Sequence, residues 1–207
     1  METLYNRIAG QSAERLAALS DGIFAFAMTL LVLDLRIPAA EAIHTEHDLW
    51  RGLLGLAPQV VMYLMSFLTL GIFWVGQQTQ LNHLERSNRS LTWMHIVFLF
   101  GVTLIPFSTR LLAEFPVYRT ALIVYWLNIL FLGVALYFTW TCAMHEALLK
   151  ADMAHGVPKA IKHRIVIAQA LYAFGMLLCV VNTYCSIAFI VLVQLYYAIA
   201  PQFGRRS

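Results

Sequence analysis

The chain has 207 residues, of which 60% are hydrophobic and only 12% charged, with a mean hydropathy of +0.70. A water-soluble domain of this size lacks the polar surface to cover so much apolar material. At about 20 apolar residues per span, there is room for about six membrane helices but not for a separate soluble catalytic domain. The formal charge of +3 is spread over loops, with no basic run interleaved with aromatics, which excludes a nucleic-acid-binding surface.

In chain order, the polar opening METLYNRIAGQSAER has no signal-peptide core, so the first apolar run is expected to be retained as a span. That run, from Arg15 to Leu35, ends at Arg36-Ile37-Pro38, and the acidic stretch to Arg51 reads as a solvated loop holding His44 and His47. A second run begins near Leu53, contains Pro58 and turns polar at QQTQLNHLERSNRS, as a helix projecting past the bilayer would. The third run holds His95 and Pro106 and is expected to kink near Ile105. The fourth is followed by a polar connection that Gly156 and Pro158 break. The last apolar stretch is too long for one span and divides at Val181-Asn182-Thr183-Tyr184, with Pro201 and Gly204 ending it. The expectation is a single all-α integral membrane domain over 1–207, with helices at about 16–35, 53–78, 91–112, 119–146, 163–181 and 184–201.

Basic residues set the orientation. In a six-span order, ten of them (Arg7, Arg15, Arg86, Arg89, Lys150, Lys159, Lys162, Arg164, Arg205 and Arg206) fall on one side, against Arg36, Arg51, Arg110 and Arg119 on the other. Both termini are therefore expected in the cytoplasm. A five-span reading would place the Arg205-Arg206 tail outside.

Within the first run, Gly22, Phe26, Thr29 and Leu33 fall on one helical face, with Arg15 and Asp21 at the entrance end. Such a stripe suits the wall of an ion pathway, because a lone hydroxyl among bulky apolar groups touches an ion without holding it tightly. It also suits ordinary helix packing, where small and hydroxyl residues gather. Arg15 and Asp21 are six residues apart, out of register for a direct pair, so each is expected to bond to another helix. Trp74, Gln77 and Gln78 on the second helix, with Trp93 and His95 on the third, lie at the same level and are the candidate partners. The seven histidines lack metal-site spacing, the three cysteines behave as small hydrophobes, and no nucleophile elbow, phosphate loop or intramembrane aspartate pair is present. Neither a metal, a cofactor nor an enzyme mechanism is expected.

Arg15-x-x-x-Leu19-Ser20-Asp21 followed by AFAMTLLVLDL resembles the Arg-x-x-x-Phe-Ser-Asp signature of the transmembrane protein 175 family, the lysosomal potassium channels and their bacterial relatives. SFLTLGIFWVGQQTQL is similar to that family's second helix and LTWMHIVFLFGVTLIPFSTRLL to its third. The resemblance implies a homotetramer of single six-helix units in a cell membrane, without a re-entrant selectivity filter, whose first helices line a central pore. Carried over by position, Phe26 is the constricting residue, Thr29 the threonine beside it and Leu33 the second hydrophobic layer, while Arg15, Ser20 and Asp21 form the structural motif. The chain departs from the pattern at Leu19 for phenylalanine, Phe26 for isoleucine or leucine, and Gln77 and Gln78 for histidine. The function expected is a channel for potassium and other monovalent cations, with modest preference over sodium, because a hydroxyl ring lacks a dense carbonyl cage. A proton-permeable channel and a non-conducting structural or accessory membrane protein are the alternatives.

Overall fold

Polar caps or first-turn prolines begin most of the helices in the apolar runs. The computed structural model of the chain describes residues 10, 12–36, 38–154 and 156–199. Arg7, Ile37, Pro201, Gly204, Arg205 and Arg206, used above for orientation and helix ends, lie outside the described residues.

Helix α1 (Ala13–Leu30) starts at Ser12, whose hydroxyl accepts the Arg15 amide at 3.2 Å, and tightens into a 3₁₀ turn over Leu31–Asp34. The acidic stretch that follows is not all loop. It contains α2 (Glu46–Gly55), because Thr45 and Asp48 form a reciprocal capping box that satisfies the free amides of the first turn. The Thr45 hydroxyl hydrogen-bonded to Asp48 holds that carboxyl below the usual carboxylate range. Helix α3 (Ala57–Asn82) carries Pro58 in its first turn. The third run is α4 (Arg89–Thr103), capped by Asn88, followed after a break at Leu104 by α5 (Ile105–Glu114) with Pro106 in its first turn. Helix α6 spans Arg119–His145. Pro158 does not interrupt a helix as expected. It opens α7 (Val157–Leu177) six residues before the anticipated start, since proline's missing amide costs nothing there and its fixed φ suits a first turn. A 3₁₀ turn (Leu178–Val180) and a tight bend lead into α8 (Thr183–Ile199).

Ala13–Asp34, Ala57–Asn82, Arg89–Glu114, Arg119–His145 and Val157–Val180 are long and apolar enough to cross a membrane, and α8 is apolar with 17 residues. Beside these helices, a single antiparallel bridge, Leu84 to Leu149, is the only β pairing among the described residues, and it ties the α3–α4 connection to the one after α6. Asn88 also hydrogen-bonds Glu146 across these connections. The α4–α6 crossing is close because Gly101 lacks a side chain: a Cβ there would lie 2.6 Å from the Phe131 ring.

With lipid outside, burial of oily side chains alone does not distinguish one helix arrangement from another, so interior hydrogen bonds carry register. Tyr125 on α6 is fully buried, and its hydroxyl lies 3.2 Å from Ser66 Oγ and 2.9 Å from Thr69 Oγ1, both on α3. Thr109 of α5 reaches Ser66 at 2.7 Å, and the amide nitrogen of Gln194 on α8 donates to Thr69 at 2.6 Å. One phenol thus stands at the junction of four helices. Tyr125→Phe should cost about 1–2 kcal/mol, measured by unfolding in mixed detergent; no change in the midpoint would show that the junction is held by packing alone.

Candidate functional site

Helix α1 has two unlike faces. Leu16, Ser20, Phe24, Ala27 and Leu31 point into the bundle, where Phe24 meets the Phe98 ring of α4 at 6.0 Å between centroids. Gly22, Phe26, Thr29 and Leu33 all face outward, with Phe26 65% and Leu33 73% exposed. The structure therefore brings the four stripe residues to one uncovered face, flanked by Leu19 and Val32, each 48% exposed. The Thr29 hydroxyl spends its proton on the Phe26 carbonyl at 2.8 Å. Thr29 is itself exposed, so its oxygen remains free to accept on the side away from the bundle.

The entrance end of α1 is fastened to α3 by adjacent residues acting in different directions. Ser20, fully buried, donates to the Leu16 carbonyl at 2.9 Å and accepts from Gln77 Nε2 at 2.7 Å. Asp21, on the outer side, accepts from Trp74 Nε1 at 2.7 Å and Gln78 Nε2 at 2.6 Å on the same oxygen. Trp74, Gln77 and Gln78 stand at i, i+3 and i+4, so one face of α3 supplies all three donors. Glutamines at the positions where histidine was expected are thereby accounted for, since their amides donate whatever the pH.

Three anticipated members, His95, Arg15 and Trp93, do not join this clamp. His95 is buried with Nδ1 3.2 Å from the Leu91 carbonyl of its own helix, and it makes no hydrogen bond to Trp74 or Gln77 among the described residues. The helical four-residue spacing places the Leu91 carbonyl within reach of the imidazole on its own helix. Arg15 is exposed, and its guanidinium has no partner among the described residues; Trp93 is exposed as well. At the far end of α1, Arg110 reaches Asp34 at 3.8 Å and Arg36 reaches Glu114 at 3.2 Å, linking it to α5. Sequence reasoning missed the Tyr125 junction and this far-end pairing. Ser66 and Thr69 inside an apolar run, and Gln194 alone in an apolar helix, were the signals for the first.

The model of the endosomal/lysosomal potassium channel TMEM175 family matches residues 15–106, from the motif arginine to the proline of α5. A potassium channel of Chamaesiphon minutus is 31% identical over 192 residues, covering 89% of this chain and 93% of that protein. A potassium channel of Streptomyces collinus is 37% identical over 101 residues, 49% of this chain and 48% of that protein. The crystal structure of a lysosomal potassium-selective channel TMEM175 homolog from Chamaesiphon minutus superposes with a TM-score of 0.79 at 27% identity, covering 91% of this chain and 97% of that one. All-helical, multi-pass and matched over nearly the whole length of a bacterial relative, the chain belongs to the family of the endosomal/lysosomal potassium channel TMEM175.

Proposed function

We propose that this chain is one subunit of a homotetrameric, potassium-permeable channel of the cell membrane, in which six spans place both termini in the cytoplasm and α1 of each copy lines the axis. It acts as a conduit and not as a catalyst. The observation that carries the reading is the outer face of α1. Its apolar residues and the Thr29 hydroxyl stand uncovered on the protomer, on the helix that holds the family motif. Four copies of that face around an axis would form a Phe26 ring, a hydroxyl ring at Thr29 and a second apolar ring at Leu33. An apolar ring controls water, and a hydroxyl ring partly replaces an ion's hydration shell, giving modest selectivity for potassium over sodium.

Cysteines placed singly at positions 26 and 29 test the assembly, in a background where the native Cys142, Cys179 and Cys185 are replaced because Cys185 is exposed. Crosslinked dimers of subunits at both positions, together with a tetramer by light scattering, are expected. A monomer that forms no crosslink would remove the pore. Thr29→Val should lower the potassium-to-sodium permeability ratio in liposomes while leaving assembly intact.

A further inference from the structure

Away from the outer face of α1, a cavity of about 80 Å³ lies among α3, α6, α7 and α8. Its volume matches about two or three liquid waters. Gln80, Gln169 and Tyr172 line it, and the Oε1 atoms of both glutamines and the Tyr172 hydroxyl are buried without a partner among the described residues. Gln80 and Tyr172 are each 1% exposed. The amide orientations are fixed, because Gln80 Nε2 donates to the Leu136 carbonyl at 3.2 Å and Gln169 Nε2 to that of Ile129 at 3.5 Å. Gln80 and Gln169 therefore each bring to the lining of this space a buried carbonyl oxygen able to accept a hydrogen bond.

Arg164 stands at the mouth. Its guanidinium lies 5.6 Å from the centre of the Tyr197 ring and has no anionic partner among the described residues. On the other side of Arg164, Tyr197 and Ile72 opens a second, apolar cleft of about 430 Å³ between α3 and α8, lined by Phe67, Leu68 and Val75 among others. Acceptors inside, an arginine fork at the mouth and an apolar cleft outside form one continuous sequence of environments.

We propose that this composite site binds a membrane phospholipid whose head group carries a primary ammonium, of the phosphatidylethanolamine type. The phosphate meets Arg164, whose planar fork suits phosphate oxygens. The ammonium enters the cavity, where its N–H groups donate to Gln80 Oε1 and Gln169 Oε1. An acyl chain lies in the outer cleft. That cleft also touches Trp74, whose indole holds Asp21 of α1, so the lipid abuts the clamp described above. Binding here is independent of conduction along α1 and is tested without it.

Native mass spectrometry of the purified wild-type assembly, exchanged into mixtures of phosphatidylethanolamine and its mono-, di- and trimethylated forms with matched chains, reads the ammonium contact directly. Retention should fall stepwise with methylation and be about tenfold lower for the trimethyl lipid, which has no N–H to donate. Gln80→Leu with Gln169→Leu should level the series, and Arg164→Gln should lower retention of every member. Equal retention of all four lipids by the wild-type protein would overturn the proposal, leaving the cavity to water and Arg164 to ordinary contact with surrounding lipid. The wild-type series needs no variant to fold, so it decides the matter even where the double substitution destabilises the bundle.

Discussion

Phe26→Ala is expected to raise potassium flux in liposomes by about tenfold or more, since removing about 1.4 kcal/mol from a barrier is tenfold in rate and an apolar ring gates by excluding water. Phe26 contributes little to the protomer's core, being 65% exposed, so the change should leave the fold intact. Leu30 is the control: it lies one residue from Thr29 but is partly covered by the bundle, so Leu30→Ala should lower the melting temperature more than it changes flux. If Leu30→Ala raises flux while Phe26→Ala leaves it unchanged, the conducting face lies elsewhere on α1.

The second large effect is expected at Asp21. Alanine there removes the acceptor of two short bonds and leaves the Trp74 indole and Gln78 amide competing for solvent. Hydrogen bonds to a charged group contribute about 1.5–3 kcal/mol each, so Asp21→Ala should lose most folded assembly in size-exclusion chromatography. Asp21→Asn, which keeps a carbonyl oxygen in place, should recover part of it. Arg15→Ala should stay within about 0.5 kcal/mol of wild type, as exposed changes without partners do. Normal assembly and melting of Asp21→Ala, with flux alone altered, would make the clamp a conduction element and not a structural one.

The helices were legible in the sequence because their apolar runs exceed what any other element could bury, and the outward stripe of α1 because its spacing matches the helical repeat. Arg15 and His95 were read less well. A charged or polar residue at a given membrane depth signals that it needs a partner or water, yet not which, and Arg15 has solvent while His95 has its own helix's carbonyl. Pro158 was misread for a related reason: proline marks a boundary, but only the surrounding packing shows whether a helix ends or begins there. The Tyr125 junction stayed hidden because its members are single polar residues scattered over four helices, and no local pattern joins them.

The attachments of α1 give it the mechanics of a beam held at both ends. Near the entrance, Ser20 and Asp21 fix it to α3 by three short bonds in two directions. At the other end, Asp34 and Arg36 reach α5 through ion pairs, of which Arg36–Glu114 is exposed and worth about 0–1 kcal/mol, while Asp34 is half-buried. Rotation of α1 about its own axis as a free rod would have to break all three bonds at the entrance end. Between these two attachments the inner side of α1 is packed into the core through Phe24, Ala27 and Leu31, so the beam is also supported along its length while its outer face stays uncovered.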